Sequence, residues 1–120
     1  MARDIADAAV PDVSADNRLG SAYEAVLVSC KLVVHASGYR VRSGVAGAHA
    51  HTLECAGLVL GPSVAGFVNY FDGVRRRRNT LSYDVAGTVS DHEAAEALRR
   101  AISFGQEVEA WIRANHAHLA

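Results

Sequence analysis

The chain has 120 residues, of which 50% are hydrophobic and 21% are charged, a composition typical of one globular domain and not of a disordered chain. Twelve basic against thirteen acidic residues give a net charge of −1, which excludes a uniformly basic protein that coats nucleic acid. Eleven of the twelve basic residues are arginine, and four of these stand together at Arg75–Arg78. The balanced total is therefore compatible with one local anion site.

The two cysteines and the apolar stretches indicate the cellular compartment. Cys30 and Cys55 fit neither a metal-ligand spacing nor a disulfide framework, so we expect buried, reduced thiols. The first residues are acidic and lack the basic and apolar regions of a signal peptide. Glycines and Pro62 interrupt the longest uncharged run, residues 55–71, which favours two helices over a membrane span. We expect a cytoplasmic protein without membrane contact.

The first half of the chain predicts two helices. In the first, apolar residues recur every three or four positions, at Leu19, Ala22, Tyr23, Val26, Cys30, Val33 and Val34. Ser14 or Asp16 can cap the start of this helix, and Gly38 can end it. Residues 39–47 are predicted to form a loop. A second, shorter helix is predicted from about Ala48 to Leu60, where Gly61 and Pro62 end it.

The second half predicts two further helices. The third runs from Ser63 to about Asp84, with heptad-spaced apolar residues at Val64, Phe67, Phe71, Val74 and Leu81. A capping box, Ser90 to Glu93, opens the fourth, which ends near Asn115. Its predicted apolar line is Leu98, Ile102, Gly105, Val108 and Ile112. Together these elements predict an all-α, antiparallel bundle of four to five helices. Residues 1–13 form an N-terminal segment, short helix or frayed, 14–115 the single domain, and 116–120 a tail.

The third helix carries the polar residues that bear on function. On a helical wheel Arg78 falls within about 20° of Phe67, on the apolar stripe, where a guanidinium needs a partner or a cleft. Four polar residues share the opposite face within about 60°: Asp72, Arg76, Asn79 and Tyr83. The simplest interpretation is a solvated face with an Asp72–Arg76 pair worth a few tenths of a kcal/mol. The functional interpretation is a site for an anion.

The stretch from Arg75 to Asp84 resembles the signature helix of HEPN domains, the higher eukaryotes and prokaryotes nucleotide-binding domains. That signature is an arginine, often followed by a polar residue such as asparagine, then four to six residues, then histidine. Arg78 and Asn79 fit it, with Tyr83 in the place of the histidine, and Arg76 and Arg77 also satisfy the spacing. The segments 38–41 and 47–49 resemble a small bacterial subgroup whose signature has an Arg-Asn…Tyr-Asp form. The resemblance covers roughly residues 16–112.

The resemblance implies an all-α homodimer in which the two signature helices line a shared cleft. Family ribonucleases use the arginine and histidine there to cleave RNA without a metal, by helping the ribose 2′-OH attack the adjacent phosphate. In a related toxin–antitoxin pattern a nucleotidyltransferase partner modifies the tyrosine. Arg76 and Tyr83 match that pattern, whereas Leu81 stands in place of its histidine. An arginine fork suits phosphate, but an ordinary tyrosine is a poor general base at neutral pH.

The remaining histidines do not supply the missing group. His49 and His51 are two positions apart, which directs them to different sides of a helix, and neither belongs to a metal-ligand pattern. His92 lies within the capping box, where we expect it to face solvent, and His35 stands near the end of the first helix. No glycine-rich phosphate loop or nucleophile elbow is present in the sequence. We expect no metal and no cofactor.

We therefore expect an HEPN-like, homodimeric bundle that binds RNA or a nucleotide; whether it also cleaves RNA as a toxin-type ribonuclease stays open. The candidate catalytic residues are Arg78, Asn79 and Tyr83. The candidate RNA- or phosphate-binding residues are Arg75, Arg76, Arg77 and Asp72. The alternative is a dimeric interaction module whose arginine cluster docks an acidic partner, such as a nucleotidyltransferase antitoxin.

Overall fold

A computed structural model describes Ile5 and residues 14–39, 47–81 and 89–116, with the backbone alone for 78–81. The described residues form four α-helices and no strand: α1 Ala15–Ala36, α2 Ala48–Leu60, α3 Ala65–Leu81 and α4 Asp91–Asn115. A 3-10 turn, Pro62–Val64, joins α2 to α3. The prediction of an all-α bundle is confirmed.

Local capping residues fix the helix ends where the sequence predicts them. The Ser14 hydroxyl accepts a hydrogen bond from the Asn17 N–H at 3.2 Å, and the Ser90 hydroxyl accepts one from the Glu93 N–H at 3.1 Å. Gly61 ends α2 with a φ of 98°, a conformation that favours glycine. The α3 helix begins at Ala65, two residues after the predicted start, because the residues following Gly61 first form the 3-10 turn.

The third helix runs antiparallel to α2 and α4. Near its start the Phe67 ring lies 5.8 Å from the Phe104 ring in the second half of α4. Near its end Arg77 pairs with Glu93 in the first turn of α4. On the other side, the short 3-10 turn reverses the chain so that α2 packs back against α3. The antiparallel prediction therefore holds for both pairs of helices.

The pair formed by α1 and α4 departs from the prediction. Arg18 pairs with Asp91, and the Val89 N–H donates to Asp16 Oδ1 at 3.3 Å, so the two helices begin side by side. They also share the most extensive helix–helix contact among the described elements, which means that they run in the same direction. The prediction of a wholly antiparallel bundle is wrong here. The connection of residues 37–47 is longer than the roughly two to eight residues that usually join antiparallel neighbours.

The core is built around α1, whose predicted apolar face is confirmed. All seven of its predicted residues are buried, and Tyr23 is among the largest side chains fully enclosed by the bundle, with Phe71 and Phe104. In the third helix Phe71 and Val74 are buried as predicted, whereas Phe67 is half-buried. Buried residues of all four helices therefore form one continuous hydrophobic core.

The buried face of α4 differs from the predicted one. Ile102 is 40% exposed and Leu98 is only partly buried, so the predicted line is wrong at these two positions. The observed line substitutes alanines and an aromatic ring: Ala94, Ala97, Ala101, Phe104, Gly105, Val108 and Ile112. A pattern that counts large aliphatic residues passes over alanine, although its small side chain allows two helices to approach closely.

Two features bear on the environment of the chain. Among the described helices only α1 is long and apolar enough to cross a membrane, and 61% of its apolar window is buried inside the bundle, as in a core helix. Both cysteines are free thiols, as predicted; Cys30 is buried, whereas Cys55 is only half-buried. Burial raises the pKa of the Cys30 thiol to about 12, which keeps it protonated and unreactive.

Candidate functional site

The arginine block occupies the last two turns of α3, and its first two members converge on one carboxylate. Arg75 Nε donates to Asp72 Oδ1 at 2.9 Å, while Arg76 Nε lies 3.5 Å from Asp72 Oδ2. The predicted Asp72–Arg76 pair is therefore confirmed, with Arg75 as a second partner that the sequence analysis did not include. Both guanidinium groups are therefore held close together on one side of α3.

The third arginine lies on the opposite side of the helix. Arg77 pairs with Glu93 of α4, and both side chains are about half-exposed. The Glu93 N–H donates to the Ser90 hydroxyl, which is one half of the predicted capping box, whereas the Glu93 carboxylate accepts from the guanidinium of Arg77 and not from the start of its own helix. Arg77 was predicted to bind RNA or phosphate; here it connects two helices of the bundle.

The three candidate catalytic residues belong to the last turn of α3 and to the residues that follow it in the sequence. The backbone of Arg78 and Asn79 belongs to the final turn of α3, and their side chains lie outside the described residues. Tyr83 also lies outside the described residues, as do residues 40–46 of the predicted loop. The proximity of these three side chains to one another stays a prediction.

A groove of about 630 Å³ runs along the surface between α2 and α3. Its walls are largely apolar, with Leu53 and Leu58 on one side and Val68 on the other. Four polar residues complete the lining: Glu54, Asn69, Asp72 and Arg75. The first arginine of the block therefore lies at one end of this groove, and its volume falls in the range of small-molecule sites.

The groove is narrow at its base because α2 and α3 approach closely. A Cβ atom placed on Gly57 would lie 3.0 Å from Cγ2 of Val68, so only glycine fits without displacing its neighbour. Above this contact Leu58 is 78% exposed and presents an aliphatic side chain at the rim of the groove. The geometry of the site thus depends on the absence of a side chain at position 57.

A smaller pocket of about 300 Å³ lies on the other side of α3, against α4, and is bordered by Tyr70, Arg77 and Glu96. The Arg100 guanidinium lies 4.3 Å from the centroid of the Tyr70 ring, a cation–π contact. Burial raises the pKa of Tyr70 above its ordinary value. Hydrogen bonds from Arg99 and Arg100 lower the pKa of Glu96. The polar side chains at this pocket therefore have partners within the bundle: Tyr70 and Glu96 both contact Arg100, and Arg77 pairs with Glu93.

The histidines take structural or exposed positions. The His49 ring lies 6.2 Å from the buried Tyr23 ring, while His51 and His35 are exposed. His92 is exposed, as predicted for its place in the capping box. Within residues 14–39, 47–81 and 89–116, no group of three or more potential ligands among His, Cys, Asp and Glu is arranged to hold a metal ion.

Two groove residues were missed by the sequence analysis, Glu54 and Asn69. A signal for the first was present, because Glu54 is the only acidic residue of α2 and that helix contains no lysine or arginine. Asn69 belongs to the same face of α3 as Asp72 and Arg76, one turn earlier. The polar face of α3 thus begins earlier than predicted, inside the groove. Comparisons with protein-family models, curated proteins and solved structures find no match to this chain.

Proposed function

We propose that this protein binds RNA or a nucleotide, with a phosphate held by Arg75 and Arg76 at the end of the α2–α3 groove. The observation that supports the proposal most directly is the sharing of Asp72 by two arginines beside an open cavity. Asp72 orients both guanidinium groups beside the groove before a ligand arrives.

Exposure and chemistry favour a phosphate ligand. The Arg76 side chain is 69% exposed, so an anion can reach it without displacing a buried group. Planar guanidinium groups bind phosphate oxygens through paired hydrogen bonds, and this is the reason for the abundance of arginine in nucleic-acid sites. The adjacent groove has apolar walls that can cover the face of a base.

The HEPN-like assignment belongs to the same proposal. In that interpretation Arg78, Asn79 and Tyr83 act on the RNA, and two copies of α3 face each other across a shared cleft. The supporting features are the all-α bundle and the location of the arginine block at the end of a bundle helix. Cleavage requires a proton acceptor in place of the missing histidine, so binding without cleavage needs the fewest assumptions.

The first test measures binding of a fluorescent single-stranded RNA at several salt concentrations. Arg76→Gln is compared with Arg113→Gln, because Arg113 is similarly exposed, at 73%, and pairs with an acid four residues away in the same way. We expect Arg76→Gln to weaken binding about three- to tenfold and to reduce the salt slope by about one, since one phosphate contact is lost. Arg113→Gln should bind as the wild type does.

Several outcomes would overturn the proposal. Absence of salt-dependent RNA binding would do so, as would an equal loss in Arg113→Gln and Arg76→Gln. If RNA does not bind but an acidic protein, such as a nucleotidyltransferase antitoxin, requires Arg75–Arg78 for association, the chain is an interaction module instead.

Cleavage and dimerisation have separate measurements. RNA incubated with the protein in EDTA should be cut only if the ribonuclease form of the proposal holds, and Arg78→Ala should then abolish cutting. Intact RNA after long incubation would show that the protein binds RNA without cleaving it. A monomeric sedimentation profile at micromolar concentration would exclude the shared cleft between two copies.

A further inference from the structure

The acidic side chain inside the groove is the feature that the proposed function does not use. Glu54 is exposed, lines the α2 wall and is the only formally charged residue of that helix apart from its histidines. Among the described residues no ion pair involves it, in contrast to Asp72 across the groove, which is held by two arginines. A carboxylate in this position repels phosphate, so a site for phosphate alone gains nothing from it.

The register of the two helices separates Glu54 from the arginines along the groove. Because Gly57 lies opposite Val68 and the helices run antiparallel, Glu54 lies near the level of Phe71. Arg75 and Arg76 are four to five residues further along α3, a distance of about 6–8 Å at 1.5 Å per residue. The groove thus offers a carboxylate to the base and guanidinium groups to the phosphate.

We propose that the groove selects guanine, with Glu54 accepting hydrogen bonds from the base; this inference rests on the proposed function. Guanine presents two adjacent donors, N1–H and the N2 amino group, which fit the two oxygens of one carboxylate. On the same Watson–Crick edge, adenine and cytosine each offer only an amino group as a donor, and uracil offers only N3–H. The side-chain amide of Asn69, on the facing wall, can donate to guanine O6.

The apolar walls complete the site for a base. Leu58 and Val68 lie on opposite sides of the groove and present aliphatic surface to the two faces of a flat ring. A base inserted between them removes the exposed Leu58 side chain from water. Selectivity comes from the polar edge, because aliphatic contacts do not distinguish one base from another. Glu54 is therefore the specificity-determining residue of the proposed site.

The test compares three labelled RNA pentamers, UUGUU, UUIUU and UUAUU, at one low salt concentration. Inosine lacks the N2 amino group of guanine and otherwise keeps the same edge, so it isolates one of the two hydrogen bonds. With the wild type we expect UUGUU to bind about tenfold more tightly than UUAUU, in line with the discrimination of one bidentate contact, and UUIUU to fall between them.

Glu54→Gln identifies the residue responsible, with Glu107→Gln as the control, because Glu107 is also an exposed acid but stands on α4. We expect Glu54→Gln to reduce the preference for UUGUU to less than threefold and to keep or raise affinity for UUAUU, since a negative charge is removed near the phosphate. Glu107→Gln should keep the wild-type preference.

The outcomes separate the two proposals. Equal binding of all three pentamers by the wild type overturns guanine selection and leaves the phosphate site standing. A Glu54→Gln variant that loses affinity equally for every pentamer also overturns it, because that pattern indicates a structural role. If no pentamer binds at this low salt concentration, the proposed function itself fails.

Discussion

The two flanks of α3 carry similar residues in different arrangements. Towards α4, Arg77 bonds a carboxylate of another helix, and Arg100 stacks on Tyr70, so the charges connect two elements of the bundle. Towards α2, Arg75 and Arg76 bond one aspartate of their own helix and stand beside an open groove. The first arrangement connects two helices, whereas the second holds two guanidinium groups of one helix beside the groove.

This difference shows that a run of four arginines is not one functional unit. Successive residues of a helix point about 100° apart, so neighbours in sequence face different parts of the molecule. The part of the molecule that each arginine faces decides whether its side chain pairs with another helix or lies beside the groove. A block of like charge must therefore be assigned residue by residue.

The largest expected effect comes from filling the base of the groove. Gly57→Val places a branched side chain where even a Cβ atom lies 3.0 Å from Cγ2 of Val68, so the Val68 side chain or the two helices must shift. We expect a loss of about 1–3 kcal/mol in the free energy of unfolding, the usual cost of overpacking. Chemical denaturation measures it, and RNA binding should fall because the added side chain changes the shape of the groove.

Gly73→Val is the matched control on the other flank. Gly73 lies inside α3 beside the smaller pocket, and a Cβ atom there meets nothing within 4 Å. Because valine is a better helix former than glycine, this variant should be as stable as the wild type or slightly more so. Equal destabilisation by both substitutions would show that the two flanks are packed alike.

An intermediate effect is expected from the ion pair towards α4. Arg77→Gln should reduce the free energy of unfolding by about 0.5–1 kcal/mol, since a half-exposed pair between helices is worth no more, whereas Arg76→Gln should change it by less than about 0.3. A double-mutant cycle with Glu93→Gln measures the coupling. A larger loss in Arg76→Gln than in Arg77→Gln would contradict the assignment of the flanks.

The smallest effect is a dependence on pH. Hydrogen bonds from Arg99 and Arg100 lower the pKa of Glu96 below its ordinary value of 4.5. Because the pKa is lower in the folded than in the unfolded chain, the contribution to stability is present above about pH 4.5 and is lost as the pH falls through the folded pKa. Urea midpoints of wild type and Glu96→Gln should therefore differ at pH 7 and converge as the pH falls below about 4.5. A difference that is constant with pH would contradict this.

Helix ends and the core face of α1 were predictable because they depend on local signals. Ser14 and Ser90 cap the helices that follow them, and Gly61 with Pro62 ends α2, all within one turn of the boundary. The parallel course of α1 and α4 was not predictable, since it depends on contacts between distant residues. The buried alanines of α4 were missed because the prediction relied on large aliphatic residues and did not consider small residues at the same helical spacing.

The candidate site was predictable in part. The polar face through Asp72 and Arg76 follows from helical spacing, and its ion pair is present. The roles of Arg77 and Glu54 depend on which helix lies opposite each one, and no single helical wheel contains that information. The grouping of Arg78, Asn79 and Tyr83 stays a prediction, because these side chains lie outside the described residues.

The adjacent starts of α1 and α4 have a consequence for the order of folding. The contact between Asp16 and Val89 joins residues 73 positions apart, whereas α2 and α3 are connected by a single turn. Closing the longer loop costs more chain entropy, and nonlocal contacts form more slowly than local ones. The α2–α3 hairpin can therefore form before α1 and α4 meet, so both walls of the groove belong to the part of the chain that is quickest to assemble.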